Sequence, residues 1–126
     1  MKEIIPPHVN GAGKGVIGLL RYLNYNVESG GPNDLVRRSR LEYIYSCELL
    51  VEPGTANAKY VAEFGESSSE ERFEKIVRVI ESNLDRFSGN TSNAWLECIR
   101  KWEDDLDWFF QKFGERHGHP KYYFEN

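Results

Sequence analysis

The spacing of hydrophobic residues predicts two long helices in the second half of the chain. Between residues 70 and 87, apolar side chains recur every three or four positions, which places them on one stripe of an α-helix. A second stripe with the same spacing runs from Trp95 to Phe113, and Gly114 follows where a helix C-cap is expected. Because only the short segment around Gly89 separates them, the two helices are expected to be antiparallel neighbours.

The pattern between residues 35 and 51 fits two different elements. Asp34 could cap a helix that continues through Leu41 and Ile44. From Arg40 onward, however, apolar and polar residues alternate, and six residues share the more apolar face: Leu41, Tyr43, Tyr45, Cys47, Leu49 and Val51. Alternation with a period of two is typical of a half-buried strand, so the pattern favours a strand. The turn-forming residues 52–57 and a second apolar segment at 59–64 then predict a β-hairpin.

The first third of the chain predicts short elements joined by loops. Met1 to Ile5 could form a short strand, which Pro6 and Pro7 would end because proline lacks a backbone N–H. Residues 10–18 are rich in glycine, and apolar residues at helical spacing follow them. A short helix is therefore expected near residues 13–25.

These elements predict an α+β fold in one domain that covers residues 1–126. A β-hairpin or small antiparallel sheet would pack against the two long, antiparallel C-terminal helices, with a short helix near the N-terminus. Residues 115–126 follow the predicted end of the last helix and are expected to form a tail. A chain of 126 residues has room for one sizeable core.

The composition changes this picture by excluding several classes of protein. Seventeen aromatic residues argue against disorder, because they supply the apolar surface that offsets the entropy lost on folding. The longest uncharged apolar stretch ends at Arg21 after six residues, so no membrane span is expected. Two cysteines do not make a disulfide framework, which favours a cytoplasmic location.

The charges are distributed unevenly between the two ends of the chain. The net charge is −4, but residues 1–41 carry +3 and the remaining 85 residues carry −7. An acidic majority disfavours binding to nucleic acid, which depends on lysine and arginine at phosphates. The one basic concentration is Arg37, Arg38 and Arg40, three arginines that are expected to form a solvated face or to pair with local carboxylates.

No catalytic motif is complete. The segment around Gly13-Lys14 resembles a phosphate-binding loop, but His8 and Gly15 stand where that motif needs glycine and a hydroxyl residue. His117 and His119 lie close enough to share a metal, yet no nearby carboxylates complete a coordination set. Cys47 and Cys98 lie among apolar neighbours and are expected to be buried. The sequence therefore predicts neither a cofactor nor a metal, and favours a non-catalytic protein over an enzyme.

Trp108 is the main anomaly in the hydrophobic pattern. It lies on the polar face of the last helix, opposite the apolar stripe and on the same side as Lys101 and Asp104. Either another element covers it, such as the aromatic segment 122–124, or it is a contact anchor for a partner. The candidate partner-binding residues are Lys101, Asp104, Asp105, Asp107 and Trp108.

Two functions fit these features. The first is a non-catalytic protein-binding module that presents its acidic, aromatic-containing helical face to a basic protein or to a second copy of itself. In size, charge and aromatic content the chain resembles the small acidic immunity and antitoxin proteins that neutralise bacterial nuclease toxins, and an orphan protein of a mobile element would look the same. The alternative is a small-ligand-binding protein or an enzyme with a pocket between hairpin and helices, which would involve Tyr43, Tyr45, Cys47, Glu48 and the segment 11–15.

Overall fold

The computed structural model describes residues 1–11, 18–87, 89 and 92–119. This part of the chain is mainly helical, with five α-helices and one two-stranded sheet. In chain order the elements are β1 (Lys2–Ile4), α1 (Leu19–Tyr22), α2 (Asp34–Ser46), β2 (Glu48–Leu50), α3 (Ala58–Ala62), α4 (Glu70–Phe87) and α5 (Asn93–Phe109). A π-helical turn (Phe110–Gly114) and a 3₁₀ turn (Glu115–His117) prolong α5.

The two long helices are α4 and α5, and the prediction of an antiparallel pair is confirmed. The ring of Phe73 near the start of α4 stacks on Phe109 at the end of α5, with 5.2 Å between ring centroids. At the other end, Phe87 stacks on Trp95 at 4.1 Å. The apolar stripes predicted from the sequence therefore face each other and form the centre of the core.

The predicted β-hairpin is wrong. Residues 34–46 form helix α2, and 48–50 are the only part of the predicted first strand that pairs in a sheet. The predicted returning strand, 59–64, instead overlaps helix α3. Strand β2 pairs with β1 at the N-terminus, in parallel, with Lys2 opposite Glu48 and Ile4 opposite Leu50. A parallel pair needs a long crossover, which α1 and α2 provide.

Helix α2 forms because its start is capped and its buried stripe is helical. The Asn33 side chain, rather than that of Asp34, accepts a hydrogen bond from the backbone N–H of Val36 at 3.0 Å. The buried residues of the helix recur at intervals of four, three and one: Arg37, Leu41, Ile44 and Tyr45. This spacing fits one helix face, whereas a strand would place Ile44 and Tyr45 on opposite faces.

The ends of two other predicted helices also differ from expectation. The N-terminal helix is seen only at Leu19–Tyr22, and residues 13–17 of the predicted span lie outside the described residues. Gly114 is helical, with φ −63°, and the chain continues through His117 before Gly118 ends it with φ +79°. The first three residues of the predicted tail, 115–117, thus extend α5, and residues 120–126 are not among those described.

Arg72 of α4 joins three parts of the fold although only 1% of it is exposed. Its guanidinium donates hydrogen bonds to backbone carbonyls at the end of α2 and in the connection between α3 and α4. Helix C-termini leave carbonyl groups without partners, and a cation there also interacts favourably with the helix dipole. Arg72 therefore fixes the end of α2 against α4.

Candidate functional site

A cavity of about 770 Å³ lies between α4, α5 and the segment 18–28. Helix α4 contributes the face that carries Lys75, Arg86 and Phe87, and α5 contributes Trp95 and Trp102. The position of the cavity follows from the sequence, because Phe87 is the last residue of one apolar stripe and Trp95 is the first of the next. At this end of the helical pair no third long helix from the described part of the chain covers the rings.

The aromatic side chains of the cavity form a continuous stack. The Phe87 ring lies nearly parallel to that of Trp95, at 10°, and to that of Trp102, at 15° with centroids 5.7 Å apart. Trp102 is buried, whereas Trp95 is 36% exposed. Flat, partly exposed rings offer a surface on which a planar ligand can stack.

Positive charge predominates in the lining. Among the described lining residues, three cations, Arg21, Lys75 and Arg86, face a single carboxylate, Glu28, in a chain whose net charge is −4. Arg21 pairs with Glu28, and the Lys75 ammonium is 3.6 Å from the Glu63 carboxylate. Arg86 makes no ion pair with any residue in the described ranges. The local excess of cations favours an anionic ligand.

Tyr60 closes one end of the cavity. Its hydroxyl accepts a hydrogen bond from the backbone N–H of Leu19 at 2.9 Å, which fixes the start of α1, and burial raises the pKa of the Tyr60 phenol. Its ring lies against Gly11, where an added Cβ would come within 3.0 Å of Tyr60 Cε1. Because Gly11 also has φ +68°, this position requires glycine for two separate reasons.

Asp105, one of the predicted partner-binding residues, is fully buried. Its carboxylate accepts bonds from Arg37 Nε at 2.7 Å and Nη2 at 3.2 Å, and from the Tyr25 hydroxyl at 2.9 Å. Burial raises the pKa of the Asp105 carboxyl, although the bonds from Arg37 and Tyr25 oppose the shift. Asp105 thus holds α2 and the segment before it against α5, and no partner surface can include it.

The other four predicted residues lie at or near the surface of α5. Asp104 is exposed, and Asp107 and Trp108 are partly buried. The Lys101 side chain is only 15% exposed and lies 3.3 Å from Glu97. The structure therefore brings Asp104, Asp107 and Trp108 to one side of α5 and separates Asp105 from them.

Helix α2 covers Trp108 in part. The guanidinium of Arg38 lies 5.8 Å from the centre of its ring, and the ammonium of Lys112 lies 5.6 Å away. Its ring also meets Phe113 edge-on at 6.2 Å. Cations at these distances interact favourably with an indole, so this tryptophan already has partners within the chain. The aromatic residues 122–124, expected as a cover, lie outside the described residues.

The residues proposed from the sequence for a ligand pocket do not form one. Tyr45 and Cys47 are buried in the core, and Tyr43 faces a different, shallow groove beside Glu3. Of the glycine-rich segment, Gly11 lines the cavity, while Gly13 and Gly15 lie outside the described residues. The sequence analysis does not predict the observed cavity, because it assigns Trp95 and Trp102 to the core. The available signal was the position of Phe87 and Trp95 where one apolar stripe ends and the next begins.

None of the helices in the described ranges is both long and apolar enough to cross a membrane. Comparison of the chain with protein-family models, with curated proteins and with solved structures finds no match.

Proposed function

We propose that this protein binds a small anionic ligand with a planar aromatic group in the cavity between α4, α5 and the segment 18–28. One observation carries the proposal: stacked, partly exposed rings and an excess of cations line the same cavity. Ligand sites typically combine an apolar wall with a few polar groups that orient the ligand. A volume of about 770 Å³ lies within the range of such sites.

The arrangement suggests where each part of the ligand would lie. Phe87 and Trp95 are already in contact, so a planar group would stack on the exposed side of Trp95 rather than between the two rings. Arg86 lies in the same lining and is the cation without an ion pair among the described residues. Its guanidinium is suited to a carboxylate or a phosphate, which it can bind with two hydrogen bonds.

The polar groups of the lining support binding rather than catalysis. The Tyr60 hydroxyl accepts a bond from Leu19, and the Tyr25 hydroxyl donates to Asp105. Glu28 is paired with Arg21 at the rim. These interactions engage the one carboxylate and both phenol groups of the described lining, so none of the three is free to act as a general base towards the cavity.

Tryptophan fluorescence provides a direct test. Trp95 and Trp102 line the cavity and Trp108 lies outside it, so a Trp108→Phe background reports on the cavity alone. We would titrate this protein with nucleoside monophosphates, with aromatic carboxylates, and with uncharged analogues of each. Saturable quenching by an anionic compound, with weaker binding of its uncharged analogue, is the expected result.

Variants locate the site. Stacking on an aromatic side chain contributes about 1–3 kcal/mol, so Trp95→Ala should weaken binding by about 5- to 150-fold. Arg86→Gln should weaken binding of the anion by about tenfold or more, because a hydrogen bond to a charged group contributes about 1.5–3 kcal/mol. Arg78→Gln, which alters an exposed arginine on the same helix, is the matched control. Unchanged affinity in both Trp95→Ala and Arg86→Gln would refute the proposed site.

A second candidate function is binding of a basic protein such as a toxin or nuclease, as the charge pattern predicts. It is favoured by the exposure of Glu103 and Asp104, which adjoin the partly exposed Asp107 and Trp108 on α5. The double variant Asp104→Lys, Asp107→Lys should abolish capture of such a partner and leave ligand quenching unchanged.

The two cysteines are unpaired, which supports a reducing cytoplasmic location for either function.

A further inference from the structure

Glu70, Glu74 and His119 form a cluster of metal-ligating side chains on the side of α4 away from the cavity. Their ligand atoms all lie within 4.8 Å of one another. We propose that these three residues bind a Zn²⁺ ion, with water in the remaining coordination position. The proposal is independent of the ligand cavity, because no residue belongs to both sites.

Two different parts of the chain supply the three ligands. Glu70 and Glu74 are four residues apart in the first turns of α4, so their side chains lie on the same face of the helix. His119 comes from the end of the helical region that follows α5. The site would therefore link the beginning of α4 to the last described residues of the chain.

The position of His119 is determined by its backbone and its ring contacts. Gly118 turns the chain with φ +79°, and the N–H of His119 donates to the Gly114 carbonyl at 2.9 Å. The imidazole packs 5.1 Å from the Phe73 ring and 5.6 Å from the Phe110 ring. These contacts hold the imidazole beside Glu74, with Nε2 3.9 Å from Oε1.

The environment of His119 Nε2 is the observation that distinguishes this cluster from an ordinary acidic surface. The atom is shielded from solvent and has no hydrogen-bond partner among residues 1–11, 18–87, 89 and 92–119, and 3.9 Å is too long for a hydrogen bond to Glu74. A buried polar atom without a partner is costly and calls for a specific cause. A metal ion between Nε2 and the two carboxylates would satisfy it and would also reduce the repulsion between Glu70 and Glu74.

His117 is not a fourth ligand, although it is only two residues away. Its Nε2 lies 2.7 Å from the Tyr45 hydroxyl, and its ring packs against Tyr45 and Phe73. The two histidines thus have different environments. His117 is engaged in the core, whereas His119 faces the carboxylates of α4.

The donor set favours Zn²⁺ over the alkaline-earth cations. Magnesium and calcium prefer sites made of oxygen alone, whereas one imidazole and two carboxylates suit zinc. Ligands about 2.0–2.2 Å from a tetrahedral zinc are about 3.3–3.6 Å apart, so small side-chain rotations would close the present cluster. Glu70 is exposed, which leaves room for a coordinated water.

Calorimetric titration of the tag-free, metal-free protein with ZnCl₂ tests the proposal. We expect one Zn²⁺ per chain, no comparable binding of MgCl₂, and a saturable rise in Tm. His119→Ala and Glu74→Gln should each weaken zinc binding at least tenfold. The matched controls are His8→Ala, another histidine outside the cluster, and Glu71→Gln, an exposed glutamate in the same turn of α4; both should bind zinc as the wild type does.

A spectroscopic measurement separates loss of the site from loss of the fold. Co²⁺ can replace Zn²⁺ and absorbs visible light when protein ligands surround it, so the wild type should develop these bands and His119→Ala should not. Circular dichroism shows whether each variant is folded. Zinc binding that is unsaturable, or that is equal in wild type and folded His119→Ala, would overturn the proposal.

Discussion

Replacement of Arg72 by methionine is expected to destabilise the fold by about 3 kcal/mol, because the guanidinium satisfies buried carbonyl groups from two segments. Four carbonyl oxygens lie within 3.0 Å of its nitrogens: Ile44 at 2.7 Å, Cys47 at 2.8 Å, Phe64 at 2.9 Å and Gly65 at 3.0 Å. Methionine fills much of the same volume but donates no hydrogen bond. The substitution therefore isolates the polar contribution from a packing defect.

The magnitude follows from these four bonds. Each buried hydrogen bond contributes about 1 kcal/mol net, which gives about 4 kcal/mol for the set. Burial also penalises the charged guanidinium and lowers the pKa of Arg72, so removal of the charge recovers part of the loss. A net cost of about 3 kcal/mol is a large fraction of the 5–15 kcal/mol by which domains are typically stable.

Urea denaturation followed by far-ultraviolet circular dichroism measures this free energy of unfolding. Arg72→Lys is the second variant: it keeps the charge, but one ammonium cannot reach both the end of α2 and the connection before α4. We therefore expect Arg72→Lys to be destabilised to a similar extent. Arg78→Met, an exposed arginine on the same helix, should remain within about 0.5 kcal/mol of wild type. If Arg72→Met also remains within that range, the bonds to the carbonyls do not stabilise the fold.

Three further predictions concern other buried or paired groups. Asp105→Asn should lower the free energy of unfolding, measured by urea denaturation, by about 3–5 kcal/mol, because it leaves Arg37 buried without a carboxylate. The control Asp104→Asn should change the free energy of unfolding by less than about 0.5 kcal/mol. The hydrogen bond to Glu3 raises the pKa of Tyr43 to about 12, so Glu3→Gln should move it towards the ordinary 10.0 in an NMR titration. Because the pKa of Tyr43 is higher in the folded than in the unfolded state, the protonated phenol stabilises the fold below pH 10.0, and this stabilisation is lost as the pH rises towards 12. The loss of stability over this pH range should be smaller in Glu3→Gln. An unchanged Tyr43 titration in that variant would exclude Glu3 as the cause of the raised pKa. Both cysteines are buried, and burial raises the pKa of Cys47, so a thiol reagent should modify neither in native protein and both in urea; rapid reaction of either in native protein would contradict the structure.

The long helices could be predicted because each carries one uninterrupted apolar stripe. Phe73, Ile76 and Ile80 of α4 are all fully buried, as their spacing requires. The end of α5 was harder to predict, because glycine stops a helix only where it adopts positive φ. Gly114 is buried and helical, and the residue with positive φ is Gly118. The local sequence does not indicate that the 3₁₀ turn at 115–117 continues the helix between these two glycines.

Helix α2 was mistaken for a strand because two periodicities overlap in it. Leu41 and Tyr45 are four residues apart, an interval that fits one face of a strand and one face of a helix equally well. The residues that separate the two interpretations are Arg37 and Ile44, since both are buried on the helical face. From the sequence, Arg37 is expected on a solvated face or beside local carboxylates, because an arginine is seldom buried without a partner. Its partner, Asp105, is 68 residues away.

That pairing changes how the uneven charge of the chain should be interpreted. Arg37 and Arg38 belong to the basic first third of the chain, whereas Asp105 and Trp108 belong to the acidic remainder. From the sequence, Asp105 and Trp108 are expected on a surface that binds a basic partner. In the structure α2 packs on α5, so Arg37 binds Asp105 and Arg38 lies over Trp108. Lys112 after α5 in turn pairs with Glu42 of α2 at 3.4 Å. Part of the charge difference between the two ends of the chain is therefore complementarity between two of its own helices, and only the exposed carboxylates of α5, such as Asp104, remain as evidence for a basic partner.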